Sequence, residues 1–148
     1  QNVKGAGAAG GLGAGLSGIF DAVLKPGIDI VLDTVDFDRV VAECDLVLTG
    51  EGKIDGQSLR GKVPVGIAQR ARKFGKPVIA VCGSVESDIE ILKTVGISAV
   101  FSTMRQAVPW KIAKNNCRED LAETVRNIMR VYRLSASCDV PGKAYIER

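Results

Sequence analysis

Histidine is absent from all 148 residues. A histidine general base, a histidine-based triad and histidine metal ligation are therefore excluded within this chain. Aromatic residues are scarce, at 5%, and are not interleaved with basic ones, which speaks against a nucleic-acid surface. None of the four cysteines, Cys44, Cys82, Cys117 and Cys138, stands in a C-x-x-C pair, so a zinc knuckle or a thioredoxin-type motif lacks support. Cys44 and Cys82 lie in apolar runs and read as small buried hydrophobes, which suits a reducing cytoplasm; the even count leaves a disulfide pair open. No apolar run approaches the roughly 20 residues of a membrane span. No positively charged segment leads into an apolar one at the N-terminus, so no signal peptide is visible. An initiator Met is also missing, and Gln1 reads as the start of a fragment or of a processed chain. Charge of one sign is barely in excess. Twenty basic and 17 acidic residues leave +3, too little to imply nucleic acid or a membrane surface.

What is present is a globular composition, with 46% hydrophobic and 25% charged residues. A chain of this length buries roughly 68–70% of the surface its unfolded form exposes, enough for one core. Helical and strand patterns alternate after residue 27. Gly27 to Asp33 is a β-branched run and predicts a strand. Phe37 to Glu43 fits a short helix. Leu46 to Thr49 predicts a buried strand leading into Gly50-Glu51-Gly52. Pro64 suits a first helical turn and Gly75 a C-terminal stop, with Ile67, Ala68, Ala71 and Phe74 at helical spacing between them. Pro77 to Cys82 predicts another strand. Ser87 to Glu90 has capping-box spacing for a helix that Gly96 ends. Ser98 to Ser102 is a fourth strand candidate. Leu121, Val125, Ile128 and Tyr132 predict a final amphipathic helix, and Ser135 to Arg148 reads as a tail.

This order predicts an α/β fold, a parallel sheet flanked by helices of the Rossmann or flavodoxin-like kind. Continuous rather than alternating apolar runs suit a sheet covered on both faces. Ligands of such folds bind at the C-terminal ends of the strands. That rule points to Asp33, to the stretch from Thr49 to Lys62, to Gly83-Ser84 and to the residues after Ser102.

Two segments carry candidate chemistry. In the first, Gly5 to Gly15, small residues let backbone approach a ligand or another element closely. Gly5, Gly7 and Gly10 have G-x-G-x-x-G spacing, with Asp29 following, yet only four residues precede Gly5 and a dinucleotide site needs a strand there. A tightly packed, glycine-rich helix start and an anion site built by the amides of Gly5 to Gly11 both remain open. The second segment is Thr49-Gly-Glu-Gly-Lys-Ile-Asp-Gly-Gln-Ser-Leu-Arg-Gly-Lys-Val-Pro64. Glu51 and Asp55 are carboxylates able to hold Mg²⁺ or accept a hydroxyl proton. Gly50, Gly52, Gly56 and Gly61 let amides approach oxygens. Thr49, Gln57 and Ser58 can hydrogen-bond a substrate, and Lys62 can neutralise phosphate near a helix start. Asp33, at the end of the expected strand, is a further candidate for the same metal. Val63 after Lys62 excludes a Walker A pattern. The alternative is an ordinary polar surface loop.

Taken together, Gly5–Gly15, Gly27–Asp33, Thr49–Ser58 and Gly61-Lys-Val-Pro-Val-Gly-Ile-Ala68 resemble, in order and separation, the C-terminal part of the type I (bacterial) glycerate kinases. The resemblance runs from about Gly5 to about Leu134. It implies ATP-dependent phosphorylation of D-glycerate with Mg²⁺, by one portion of a larger two-domain α/β kinase. In that family an initial strand with its A-P-D-S-F/Y-K-type loop, and an inserted second domain, precede this segment; neither stands in this sequence. The expected partner is thus the missing N-terminal part, with a homo-oligomer also possible, and the isolated piece is expected to be inactive. Residue type and position assign Glu51 or Asp55 to Mg²⁺ or to the glycerate hydroxyl, Lys62 to the transferred phosphate, and the amides from Gly5 to Gly11 to an anion, either the glycerate carboxylate or phosphate; the resemblance supports the region rather than each role.

Two other readings stand beside this one. One is a nicotinamide-dinucleotide-binding domain using Gly5, Gly7, Gly10 and Asp29, which needs an upstream strand pairing beside Gly27–Asp33. The other is a non-catalytic binding or assembly module. Arg70, Arg72, Lys73 and Lys76 are expected to serve a helix C-terminus. Trp110 fits either a cover over the loop after the last strand or simple packing.

Overall fold

The structure is a computed structural model and describes residues 5–56, 62–86 and 88–137. Its elements are, in order, α1 (Ala8–Phe20), α2 (Gly27–Thr34), α3 (Phe37–Ala42), β1 (Val47–Ile54), α4 (Val63–Lys73), β2 (Val78–Val85), α5 (Ile89–Thr94), β3 (Ala99–Ser102) and α6 (Trp110–Ser137). The three strands form one parallel sheet in the order β1-β2-β3. Helix α4 carries the chain from β1 to β2, and α5 carries it from β2 to β3. The expected parallel α/β sheet flanked by helices is thus present, as part of a domain.

The core lies between the sheet and the helices on one of its faces. Val78, Ala80 and Cys82 of β2 and Ile54 of β1 pack with Val41 of α3, Ala68 and Ala71 of α4, Leu92 of α5 and Ile97. The start of α4 follows its expected signals: Pro64 sits in the first turn and the chain leaves through Gly75 at φ +65°. Gly96 ends α5 at φ +99°, against the Ala68 carbonyl.

Four expectations need correction. Gly27–Asp33 is helix, not strand. Ile28 and Leu32 stand four residues apart and face inward, with Leu32 buried and Ile28 seated on Gly66 of α4. Asp29 and Asp33 repeat the same interval in polar residues. Pro26 precedes the helix and Asp29 falls in its first turn, where a negative charge is favoured. Burial on α4 outweighs the strand preference of Ile and Val. Strand β1 is longer than expected and runs to Ile54, so half of the Thr49–Lys62 stretch is paired sheet rather than loop. The cap of α5 is Asp88, whose carboxylate accepts from the Glu90 amide; Ser87 lies outside the described residues. Finally, α6 begins at Trp110 and continues through Ser137, past the boundary expected at Leu134.

Coverage of the second sheet face is partial. Helix α6 lies over it with Ile128 buried, while Leu48 of β1 and Phe101 of β3 stay about two-fifths exposed. Helix α1 turns Ile19 and Phe20 outward, and they and Val23, which follows the helix, are each more than 70% exposed.

Candidate functional site

The unit β1–α4 builds the site. Thr49 is buried opposite Ala80, Gly50 lies opposite Val81, and Glu51 lies opposite Cys82. Beyond them the two strands approach closely. A Cβ on Gly83 would stand 2.7 Å from the Gly52 carbonyl oxygen, so only glycine fits there. Lys53 forms a 2.8 Å ion pair with Glu86, and that carboxylate holds the ammonium pKa above its usual range. The buried Ile54 closes the strand, and Asp55 follows at its end.

From the far side of the loop Lys62 returns to Asp55, Nζ to Oδ1, at 3.9 Å. Lys62 is the residue before α4. Its carbonyl accepts from the amides of Val65 and Gly66, and Pro64 has no amide hydrogen to offer. Charge neutralisation at this helix start therefore rests on the Lys62 ammonium more than on free amides. Both side chains stay partly solvent-accessible. The structure thus joins Asp55 and Lys62, which the sequence separates by a loop. Gln57, Ser58 and Gly61 lie outside the described residues.

Glu51 and Asp55 are set apart along β1. The strand between them is extended, which sets their Cα atoms about 13 Å apart. Among the described residues no group of three or more acidic or cysteine side chains is placed to hold a metal. Asp33 is not at a strand end either. It lies on α2 and pairs with Arg70, which also donates to Asp38 at 2.9 Å. Arg70 is about 12 Å along the α4 axis from Lys62, so Asp33 belongs to a helix–helix junction and not to the strand-end site. Arg72 donates to the Thr94 carbonyl at the end of α5, so its hydrogen bond serves a neighbouring helix and not the end of its own.

The glycine run forms a hook. Gly5, Ala9, Gly10 and Gly11 all have positive φ, and the Ala14 amide donates to the Ala6 carbonyl at 3.0 Å. A Cβ on Gly13 would meet the Gly5 carbonyl oxygen at 2.8 Å, so the close approach is between two parts of the run itself. Gly7, Gly10 and Gly11 have open space beside them. The nicotinamide reading loses its framework here. Gly27–Asp33, beside which its upstream strand was to pair, is helical, and Asp29 sits in a first helical turn.

Next to the β1 site lies a cavity of about 670 Å³, between the sheet and the first turns of α6. Its walls are largely apolar, with Val81, Met104, Trp110 and Leu121, and its floor includes Gly50, Gly52 and Gly83. Glu51, Lys114, Arg118 and Asp120 supply the charge. Lys114, Arg118 and Met104 were not singled out from sequence. The signal was available, since Trp110, Lys114, Arg118 and Leu121 recur at helical spacing directly after Pro109.

Parallel strands joined through helices define an α/β protein, a class whose ligands bind at the C-terminal ends of the strands. Comparison with known proteins narrows this. Residues 1–133 match the model of the glycerate kinase family, and the chain belongs to that family. It is 44% identical to the glycerate kinase of Bacillus subtilis over 135 residues, which are 91% of this chain and 35% of that protein. It is 42% identical to the glycerate 2-kinase of Escherichia coli K12 over 128 residues, 86% of this chain and 34% of that one. A crystal structure described as glycerate kinase 2 from Salmonella typhimurium LT2 superposes with a TM-score of 0.69 at 38% identity, over 90% of this chain and 34% of the other. The chain spans about a third of the length of the relatives it matches.

Proposed function

We propose that this chain supplies one wall of a kinase site that transfers the γ-phosphoryl group of ATP to D-glycerate, working with the N-terminal portion that its relatives carry. The observation that carries the reading is the family match across the β1–α4 unit, which holds Asp55 and Lys62 together at the strand end. Asp55 accepts the proton of the glycerate hydroxyl as its oxygen attacks the γ-phosphorus. The bond from that phosphorus to the bridging oxygen breaks, and ADP leaves. Lys62 neutralises charge on the transferred group. Phosphoryl transfer depends on positioning and charge compensation more than on a strong base, so a chain without histidine is chemically sufficient.

The amides of Gly5, Gly7, Gly10 and Gly11 are assigned to the glycerate carboxylate, and Thr49, Gly50, Gly52, Gln57, Ser58 and Gly61 to substrate and phosphate. Nucleotide-borne Mg²⁺ is commonly held by one or two carboxylates plus phosphate oxygens, so the absence of a protein cage among the described residues is compatible with it. Either Glu51 or Asp55 would supply a ligand, and the ion would neutralise the phosphates. The name of the Escherichia coli relative points to the hydroxyl at carbon 2 as acceptor. No helix among the described residues is long and apolar enough to cross a membrane, and we place the protein in the cytoplasm.

The test is ADP release, with Mg-ATP and D-glycerate, from a chimera in which this chain replaces the matching segment of the Bacillus subtilis relative. Turnover giving 2-phosphoglycerate is expected. Asp55→Asn should lower it about a hundredfold, the scale of a lost general base. A folded chimera without turnover overturns the reading, and an Asp55→Asn chimera within a few-fold of its parent removes Asp55 from the chemistry.

A further inference from the structure

We infer that the cavity between β1–β2 and α6 is the seat of the adenosine part of the nucleotide, with Trp110 against the base and Lys114 and Arg118 toward the phosphates. This rests on the kinase reading and assigns it a nucleotide pocket.

The first observation is Gly52. It lies inside a paired strand, where glycine weakens the sheet, and its backbone has no positive φ that would require glycine. Its neighbours are explained by the sheet: a Cβ on Gly50 would meet the Val81 carbonyl oxygen at 3.2 Å, and one on Gly83 would meet the Gly52 oxygen at 2.7 Å. A Cβ on Gly52 would meet nothing within 4 Å. Packing does not demand this glycine, and its lack of a side chain keeps the cavity open.

The second observation is the chemistry of the walls. An apolar enclosure of about 670 Å³ lies within the usual range for small-ligand sites. Trp110, 73% exposed, is the first residue of α6 and lines it. Lys114 and Arg118 follow four and eight residues on, along the same helix face. No hydrogen bond or ion pair engages either among the described residues. Glu51 and Asp120 are the acidic side chains of the lining. An apolar wall topped by two unengaged cations suits a planar base carrying phosphates better than it suits an uncharged apolar segment.

The third observation is continuity. Gly52 is about 10 Å along extended β1 from Asp55, so a base near Gly52 can direct its phosphate chain toward Asp55 and Lys62.

Trp110 is the sole tryptophan of the chain, so its fluorescence reports on this cavity directly. ADP titrated into the 148-residue chain should give saturable quenching. Gly52→Val, which fills open space without a backbone clash, should keep the thermal melt of the parent and abolish the quenching. Replacing both Lys114 and Arg118 with Ala should weaken ADP about tenfold and leave adenosine unchanged, as loss of charge-assisted phosphate contacts requires. A folded chain that gives no saturable response to millimolar ADP overturns the inference, as does an undiminished response in Gly52→Val. So does a chimera in which Trp110 is shielded from a soluble quencher without nucleotide, because a segment of protein then occupies the cavity. Failure of the pocket and failure of the kinase reading are separable. An active chimera whose KM for ATP ignores Gly52→Val removes the pocket, and with it the phosphate contact assigned to Gly52, but leaves the kinase reading. ADP quenching without glycerate turnover keeps the pocket and removes glycerate.

Discussion

At the scale of single residues, glycine positions divide by what surrounds them. Gly83 faces the Gly52 carbonyl, and Gly96 combines φ +99° with a setting in which a Cβ would stand 2.9 Å from the Ala68 carbonyl oxygen. Backbone atoms cannot step aside as a flexible side chain can. Gly83→Ala and Gly96→Ala should therefore each cost about 2–3 kcal/mol in urea unfolding. Gly52→Ala should do the opposite and stabilise by about 0.5 kcal/mol, because the folded state has room and the unfolded chain loses freedom. The thiols divide in the same way. Burial pushes the Cys82 pKa up, whereas Cys117 is exposed. A group whose folded pKa is raised supports stability fully below its unfolded pKa and loses that contribution as pH rises through the folded value. A thiol reagent at mildly alkaline pH should thus label Cys117 long before Cys82, and Cys82 should react only as the protein opens. Equal labelling rates on the folded chain would contradict this.

At the scale of elements, Arg70 ties three helices together. Its guanidinium, 16% exposed, donates from α4 to Asp33 of α2 and Asp38 of α3. Both carboxylates are near half exposed and rehydrate when the arginine is lost, so Arg70→Met should cost only about 1 kcal/mol. Hydrogen exchange should quicken in α2 and α3 while the strands keep their protection. This junction explains what could be read in advance. Strands β1, β2 and β3 and helices α4 and α6 were legible because their patterns are local: unbroken apolar runs, a Pro start, a Gly stop, a 3.6-residue period. Helix α2 was not, because Ile28, Ile30 and Val31 favour a strand, and it is Gly66 opposite Ile28 that makes room for a helix there. The far end of β1 escaped for a related reason. Gly50, Gly52 and Lys53 read as loop residues, and only β2 alongside supplies the pairing that keeps them extended.

For the molecule as a whole, the sheet has three strands, one face is incompletely covered, and α1 turns Ile19 and Phe20 to solvent. Contiguous apolar surface of this kind marks a contact surface or a tendency to associate. Sedimentation velocity on the isolated chain should show concentration-dependent association, and joining it to the N-terminal portion of a relative should suppress it. A monomer at all concentrations with a high melting temperature would contradict that expectation. Relatives more than twice as long, matched over 35% of their length, are consistent with a surface that further chain covers.

The amino-acid order alone determined the parallel α/β class and the family, and it singled out the stretch from Thr49 to Lys62 as the candidate site, because periodicity, turn residues and a long motif are properties of neighbours in sequence. Tertiary structure decided the rest. It brought Lys62 back to Asp55, drew Asp33 away to Arg70, stretched Glu51 and Asp55 apart along a paired strand, and set α6 over Gly52 to enclose a cavity. Each of these depends on contacts between residues distant in the chain, and the spacing of the residues along one segment carries no record of them.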